Sequence, residues 1–168
     1  MCGIIFSHTR KKPTIEQIDL ANSSVGKRGP DNVEIIQHNT VGGHWVTMVH
    51  SLLDISGHAI HQPFSEPEKP DYFLIFNGEI YNYLQLKKEL QSFGYKFKSQ
   101  SDTEIIIHGY KHWGADLFSK LVGMFAIAIW DSVSKKMTID LLKSPKKKSS
   151  SNSRRSSSSK GGTRKQRL

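Results

Sequence analysis

The run Gly123-Met124-Phe125-Ala126-Ile127-Ala128-Ile129-Trp130 is the longest apolar stretch in the chain. Its length suits a buried strand and falls far short of the roughly 18 to 20 residues that a membrane-spanning helix needs. A continuous apolar run, without polar residues at alternate positions, is typical of a strand covered on both faces. The sequence therefore predicts a central strand here, followed by a turn at residues 132–135 and a hairpin partner at residues 137–142. No membrane span is expected.

Strands and helices come in separate groups along the rest of the body. Apolar and β-branched stretches predict strands at residues 2–7, 33–37, 43–50 and 72–76, the last ending at Asn77-Gly78. Apolar spacing and polar caps predict helices at residues 14–25, 82–92, 101–112 and 115–121. Thr14 is the predicted cap of the first helix, and Ser101 with Glu104 forms a capping-box pattern. Residues 51–70 are predicted to form a long ordered loop. About seven strands and three or four helices in this order indicate an α+β fold built in layers.

The charge of the chain is concentrated in its last 26 residues. The 168 residues include 24 Lys or Arg and 15 Asp or Glu, a formal net charge of +9. Residues 143–168 hold 10 of the basic residues, nine serines and no acid, so residues 1–142 carry 14 basic and 15 acidic side chains. The sequence predicts a single near-neutral domain at residues 1–142, too short for a two-domain enzyme, and a disordered basic tail at residues 143–168.

Five short motifs occur in order along the body: Met1-Cys2-Gly3-Ile4, Arg28-Gly29-Pro30-Asp31, Asn77-Gly78-Glu79-Ile80-Tyr81-Asn82, Ser101-Asp102-Thr103-Glu104 and Gly123-Met124-Phe125-Ala126. Together they resemble the class II glutamine amidotransferase domain of asparagine synthetase and asparagine synthetase-like proteins, over roughly residues 2–140. The resemblance implies an N-terminal-nucleophile hydrolase sandwich (αββα), in which two antiparallel β-sheets pack face to face and are flanked by helices. It also implies a glutaminase that releases glutamate and ammonia from L-glutamine.

The single cysteine, Cys2, is the nucleophile that the resemblance implies. A lone cysteine is more often an inert buried side chain, so the presence of one cysteine does not by itself indicate catalysis. After removal of Met1, however, Cys2 would carry a thiol and a free α-amine, a group that ordinarily titrates at about 7.7 to 8.0 and is partly neutral at neutral pH. One residue would then supply nucleophile and base, and a thioester would form and be hydrolysed.

The other implied site residues each have a structural alternative. Asn77-Gly78 is the strongest short signal for a hairpin turn, whereas the resemblance makes the Asn77 side chain and the Gly78 N–H an oxyanion hole. Asp102 is explained equally well as a first-turn carboxylate favoured by the helix dipole, or as the partner of the glutamine α-ammonium. Glu79 is implied to line the glutamine site. The loop that begins at Arg28 is expected to be structural support.

One position departs from the family pattern. Members usually carry an Arg eleven residues before a Gln-Pro pair, where it binds the α-carboxylate of glutamine, but counting back from Gln62 gives Ser51. Loss of a charged hydrogen bond weakens binding by roughly ten- to 150-fold. Ser51 is thus a weak candidate for substrate binding, and neighbouring His50 is a weaker substitute than Arg. The alternative function is a degenerate or truncated relative with little glutaminase activity that acts by binding a partner.

Several other functions have little support in the sequence. No phosphate-binding Gly-rich loop is present, so no cofactor is expected, and the pairs His58/His61 and His108/His112 do not complete a metal-binding pattern. The ATP-dependent synthetase domain of asparagine synthetases is missing, so the ammonia acceptor would be a separate domain or chain. A lone cysteine and no secretory signal favour the cytoplasm. The basic tail adds nuclear import and weak, nonspecific nucleic-acid binding as secondary hypotheses.

Overall fold

A computed structural model describes residues 2–40, 42–54, 60–68 and 70–142. Its strands are β1 (Gly3–Thr9), β2 (Asn32–Asn39), β3 (Trp45–Leu52), β4 (Tyr72–Ile80), β5 (Gly123–Asp131) and β6 (Lys136–Leu142). Its α-helices are α1 (Ile15–Val25), α2 (Tyr83–Ser92), α3 (Asp102–Trp113) and α4 (Leu117–Lys120). The predicted tail, residues 143–168, and His58 of the first histidine pair lie outside the described residues. Six strands are described where about seven were predicted.

The strands form two antiparallel three-stranded sheets. One sheet has the order β1-β3-β2 and the other the order β4-β5-β6. The apolar run of β5 is therefore the central strand of its sheet, with the predicted hairpin partner β6 beside it. Phe6, Met48 and Ile36 form one row across the first sheet, and Ile75 pairs with Ala128 in the second.

Two apolar cores hold the layers together. The inter-sheet core is formed by buried side chains from both sheets, namely Val46, Met48, Phe73, Ile75, Ala128 and Trp130. The other face of the β4-β5-β6 sheet packs against α2, α3 and α4 through Leu74, Ile127, Ile129, Leu90, Ile105, Ile106 and Leu117. Helix α1 packs on β1 and β3 and buries Ile18. Helices thus flank two facing sheets, which confirms the predicted α+β sandwich.

The capping patterns predicted from the sequence form completely at α1 but only in part at α3. Thr14 caps α1 in a full capping box with Gln17. Ser101 caps α3 through the Thr103 N–H, but the Glu104 carboxylate accepts bonds from the Lys98 and Ser99 N–H groups instead of closing a box with Ser101. Glu104 bonds to the preceding loop instead of to Ser101 because that loop offers two backbone N–H donors.

The predicted end of the fourth strand is wrong. Asn77 and Gly78 lie inside β4, paired with Ala126 and Phe125, and the strand continues to Ile80. Gly78 has a φ of +148°, and a Cβ atom there would lie 2.2 Å from the Met124 carbonyl oxygen. Gly78 therefore allows β4 and β5 to approach closely, and it does not form a turn. The predicted loop at residues 51–70 is described only in part, and within it Phe64 pairs with Leu74.

Candidate active site

A cavity of about 1110 Å³ opens at the end of the sandwich where β3 and β4 finish and α3 begins. It brings together five of the six site residues predicted from the sequence: Cys2, Asn77, Gly78, Glu79 and Asp102. The rest of the lining is mainly apolar and hydroxyl-bearing, and includes Leu52, Leu53, Ile60, Phe76, Tyr81, Tyr83, Ser101 and Met124. Residues from both sheets and from one helix N-terminus therefore meet in one place.

Cys2 immediately precedes β1 and is held against the end of β3. The Leu53 N–H points at its sulfur, with a nitrogen-to-sulfur distance of 3.5 Å. The Arg28 Nε–H donates to the Cys2 carbonyl oxygen at 3.4 Å. The thiol is half-buried, it lines the cavity, and Cys2 is the one cysteine of the chain. Contacts to the Cys2 sulfur and to its carbonyl oxygen thus fix the position of this residue.

The loop at residues 28–31 supports this arrangement. The Asp31 N–H donates to the Leu52 carbonyl, and the Asp54 N–H donates to the Asp31 carboxylate at 2.8 Å. A Cβ atom on Gly29 would lie 2.0 Å from the Ser51 carbonyl oxygen, so the loop passes directly against the β3 backbone. The loop clamps the end of β3 onto the N-terminal segment that carries Cys2.

Asn77 and Gly78 reach the cavity from the second sheet. Asn77 is half-buried on the sheet face that looks toward the first sheet, in the same row as Ala126. The Gly78 backbone follows at the cavity wall. An amide side chain and a backbone N–H next to each other are the donor types found in oxyanion holes.

Two carboxylates, those of Asp102 and Glu79, also line the cavity. The Ile80 N–H donates to the Asp102 carboxylate at 3.3 Å. Burial raises the pKa of Asp102, the Ile80 N–H bond opposes that rise, and the nearby negative charge of Glu79 adds to it. Glu79 itself is exposed. The pair of carboxylates gives this end of the cavity a negative potential suited to an ammonium group.

Ser51 and His50 do not reach the cavity. Ser51 is fully buried on the α1 side of the first sheet, where its hydroxyl donates to the Asn22 side-chain oxygen at 2.6 Å. His50 points to the opposite face beside Glu34, is 1% exposed, and has a pKa lowered to about 4 chiefly by burial. His50 is thus a buried imidazole on the inner face of the sheet, and the Ser51 hydroxyl is bonded to α1. Ser51 is therefore not placed to contact a ligand in the cavity.

In the sequence, Gln62 served only as the reference position from which Ser51 was counted. Its place in the lining of the cavity was not predicted. Gln62 is 6% exposed and lines the cavity, and its side-chain oxygen accepts from the Phe76 N–H at 2.6 Å. This bond joins the loop after β3 to the strand that carries Asn77. The Gln-Pro pair was the available signal, since a polar residue before a proline in a long loop often has a structural role.

Two features are absent from the part of the chain that the structure describes. Within residues 2–40, 42–54, 60–68 and 70–142, no three His, Cys, Asp or Glu side chains are grouped so as to hold a metal ion. In that same part of the chain, no helix is both long and apolar enough to cross a membrane.

Comparison with known proteins gives the class to which this fold and site belong. Residues 1–141 match the family model of the glutamine amidotransferase domain. The chain belongs to this family. The cavity with Cys2, Asn77 and Asp102 lies entirely within the matched residues.

Several of the similar proteins are asparagine synthetases. Asparagine synthetase [glutamine-hydrolyzing] 3 of Bacillus subtilis is 38% identical over 138 residues, which cover 78% of this chain and 21% of that protein. A putative asparagine synthetase [glutamine-hydrolyzing] of Mycobacterium tuberculosis is 48% identical over 91 residues, or 52% of this chain and 14% of the relative. The chain thus spans about a fifth or less of these curated relatives.

A solved structure also aligns with the chain. Glutamine phosphoribosylpyrophosphate amidotransferase of B. subtilis, complexed with ADP and GMP, is 27% identical with a TM-score of 0.47, over 56% of this chain and 23% of the other.

Proposed function

We propose that this chain is a glutaminase that hydrolyses L-glutamine to glutamate and ammonia, with Cys2 as an N-terminal nucleophile after removal of Met1. The observation that carries the proposal is the meeting of Cys2, Asn77, Gly78, Glu79 and Asp102 in one cavity. Membership of the glutamine amidotransferase family supports it.

The reaction proceeds in two halves. The Cys2 α-amine takes the proton of the thiol, and the thiolate attacks the side-chain amide carbon of glutamine. The Asn77 side-chain amide and the Gly78 N–H stabilise the oxyanion of the tetrahedral intermediate. The carbon–nitrogen bond then breaks, the amine returns its proton to the departing ammonia, and a thioester remains. Water attacks the thioester, which releases glutamate and restores the thiol.

Substrate selection rests on the negative end of the cavity. Asp102, with Glu79 beside it, binds the α-ammonium of free glutamine through a charge-assisted hydrogen bond. A glutamine side chain within a protein lacks that ammonium, so the site discriminates in favour of the free amino acid. We propose that the ammonia passes to a separate ATP-dependent synthetase domain or chain, because the similar proteins include glutamine-hydrolyzing asparagine synthetases. We place this chemistry in the cytoplasm, where the thiol stays reduced.

The test is a glutamate-release assay on protein whose N-terminus is shown by intact mass to begin at Cys2. We expect turnover that is abolished by Cys2→Ala, while Ser24→Ala, an exposed change on α1, leaves it intact. Glutamate release that survives Cys2→Ala contradicts the assignment, and so does its absence in correctly processed wild-type protein.

A second candidate function is favoured by one specific observation. Among the described residues that line the cavity, none is Lys, Arg or His, and Ser51 is bonded to α1. A site without a partner for the glutamine α-carboxylate fits a degenerate relative that acts by binding another protein. Failure of a glutamine-like electrophile to label Cys2 in processed protein would favour this candidate over the glutaminase.

A further inference from the structure

One edge of strand β4 presents a row of backbone N–H groups to the cavity. β4 pairs with β5 along its other edge. On the free edge, the Phe76 N–H donates to the Gln62 side-chain oxygen at 2.6 Å, and the Ile80 N–H donates to the Asp102 carboxylate at 3.3 Å. N–H groups point alternately to the two edges of a strand, so the Gly78 N–H, between these two, points the same way. Gly78 is thus flanked by Gln62 on one side and Asp102 on the other.

The orientation of the Gln62 amide is fixed by its partner. The Phe76 N–H can only donate, so the atom that faces it is the amide oxygen, and the NH2 group is left over. None of the described residues accepts a hydrogen bond from this NH2. Within the described chain, the side-chain atoms that are both fully buried and unpaired are His50 Nε2 and His108 Nδ1. The Gln62 nitrogen is therefore open to space, and the space that Gln62 lines is the cavity.

The order of groups along this edge indicates which part of a ligand Gln62 meets. Successive N–H groups on one edge are about 7 Å apart. In the proposed function Asp102 binds the α-ammonium of glutamine, and the α-carboxylate, which is attached to the same carbon, lies toward that end. The reacting carboxamide lies at Gly78. Gln62, on the far side of Gly78 from Asp102, therefore meets the carboxamide and not the α-carboxylate.

We propose that the Gln62 side-chain NH2 donates to the oxygen of the ligand's reacting carbonyl group, as a third donor beside the Asn77 amide and the Gly78 N–H. The Gln62 oxygen is 2.6 Å from the Phe76 nitrogen, and an amide nitrogen lies about 2.2 Å from its own oxygen. The gap of about 7 Å between Phe76 and Gly78 accommodates one oxygen that accepts from both sides. This assignment deepens the proposed glutaminase and rests on it.

Gln62→Glu separates the two bonds of this side chain. A carboxylate has nearly the same shape as the amide and still accepts from the Phe76 N–H, but it has no proton to donate. In full-length protein with a processed N-terminus at pH 8, kcat for glutamine should fall about ten-fold or more. Thermal unfolding should stay close to that of wild type, because the bond to Phe76 is kept.

Protonation of the introduced carboxyl should restore the donor. A neutral carboxylic acid accepts through its carbonyl oxygen and donates through its O–H, and burial favours this neutral form. The ratio of the variant's kcat to the wild-type kcat should rise about three-fold or more between pH 8 and pH 5. Division by the wild-type value at each pH cancels the titration of Cys2, Glu79 and Asp102. A purely structural role of Gln62 predicts a ratio near one at every pH.

Two further variants distinguish the donor from simple charge. Gln100→Glu adds the same charge elsewhere in the cavity lining and should stay within about three-fold of wild type. Gln62→Met is neutral, makes neither bond, and should have a kcat about ten-fold or more below wild type that does not recover in acid. A flat ratio for Gln62→Glu overturns the proposal. An equal, pH-dependent loss in Gln100→Glu also overturns it, because charge alone would then explain the effect.

Labelling of Cys2 by a glutamine-like chloromethyl ketone separates this inference from the proposed function. The ketone oxygen takes the place of the amide oxygen, so Gln62→Glu should slow labelling about ten-fold at pH 8 and less at pH 5. This pattern without glutamate release in any protein refutes the glutaminase and leaves the donor role of Gln62 established. Normal labelling and turnover in Gln62→Glu at pH 8 refute the donor role and leave the glutaminase intact. A wild-type Cys2 that the ketone does not label overturns both.

Discussion

Asn77 is the residue whose proposed role depends most on a single side-chain group. It lies on the second sheet at the cavity wall, next to the Gly78 backbone, while Cys2 comes from the first sheet. An oxyanion donor acts in the transition state and contributes little to the binding of substrate. Its removal should therefore affect kcat much more than KM.

We predict that Asn77→Ala lowers kcat by about 100- to 1000-fold, because one oxyanion-hole donor is typically worth ~2.7 to 4 kcal/mol of barrier. Steady-state kinetics measures the effect, and thermal unfolding checks that the sandwich is intact. Gln100→Ala, another change in the cavity lining, is the matched control and should stay within about three-fold of wild type. A ten-fold or smaller loss in kcat for Asn77→Ala would exclude the oxyanion role.

Asp102 should make glutamine binding sensitive to mild acid. Burial and the neighbouring Glu79 raise its pKa, so the carboxylate takes up a proton at a higher pH than an ordinary Asp does. A protonated Asp102 no longer offers a negative partner to the α-ammonium. We predict that, as pH falls, KM for glutamine rises at a higher pH than an ordinary Asp, which titrates near 3.9, would require.

Asp102→Asn provides the comparison for that pH series. Its KM should be high throughout and nearly independent of pH over the whole series, since no proton can bind at this position. A wild-type KM that stays flat over the same interval, or a variant with an unchanged KM, contradicts the role of Asp102.

At the level of elements, the inner face of the first sheet holds a polar cluster beside the apolar core. His50 of β3 pairs with Glu34 of β2, and Glu34 contacts His61 from the loop that follows β3. Burial is the main cause that lowers the pKa of His50 to about 4; Glu34 opposes this shift, and the charge of His61 adds to it. The folded protein thus keeps His50 neutral under conditions in which the unfolded chain protonates it.

We predict that the free energy of unfolding is independent of His50 above about pH 6.5 and falls between about pH 6.5 and 4. The unfolded chain binds more protons in that window, so acidification favours unfolding. The full loss is up to about 3 kcal/mol, at 1.36 kcal/mol for each unit of pKa difference. Urea unfolding at a series of pH values measures it.

The matched variants are His50→Gln and His61→Gln. The first should flatten the acid dependence, whereas the second, at an exposed position, should keep most of it. An unchanged slope in His50→Gln would assign the acid sensitivity to other groups.

Strand β4 illustrates how tertiary pairing overrides a local signal. Asn-Gly is strongly associated with hairpin turns, yet Asn77 and Gly78 continue the strand because β5 pairs with both. Residue identity could not reveal this, since the required contact lies about 50 residues away along the chain at Phe125. Helices α1 and α3 were easier to predict, because Thr14 and Ser101 act on backbone groups only two or three residues away.

At the scale of the whole molecule, the inter-sheet core determines the geometry of the site. Cys2 immediately precedes β1 of one sheet and Asn77 lies in β4 of the other, so their separation depends on how the two sheets pack. Met48 lies at the centre of this packing and is fully buried. Removing its side chain leaves a cavity and lets the sheets shift.

We predict that Met48→Ala lowers the free energy of unfolding by about 2 to 5 kcal/mol and also lowers glutaminase activity per folded molecule. Denaturant unfolding together with active-site titration of Cys2 separates the two effects. Leu20→Ala, at a side chain that is 74% exposed on α1, should stay within about 0.5 kcal/mol of wild type. A Met48→Ala protein of wild-type stability would show that this core does not hold the sheets together.

The sequence by itself determined the elements and the chemical groups. The apolar run at residues 123–130, the cap at Thr14 and the charge boundary near Leu142 are local properties, because hydrophobic period, capping and composition act over a few residues. The ordered motifs also identified the candidate nucleophile and its partners by residue type.

Only the tertiary structure decided which of these groups share a cavity and which do not. Ser51 lies in β3 and Cys2 immediately precedes β1, the neighbouring strand, yet Ser51 is buried against α1 while Cys2 faces the cavity. Gln62 and Asp102, distant in sequence, line the same wall. The physical reason is that alternation along a strand and the packing of one sheet on another set the direction of each side chain. Both depend on contacts between segments far apart in the chain.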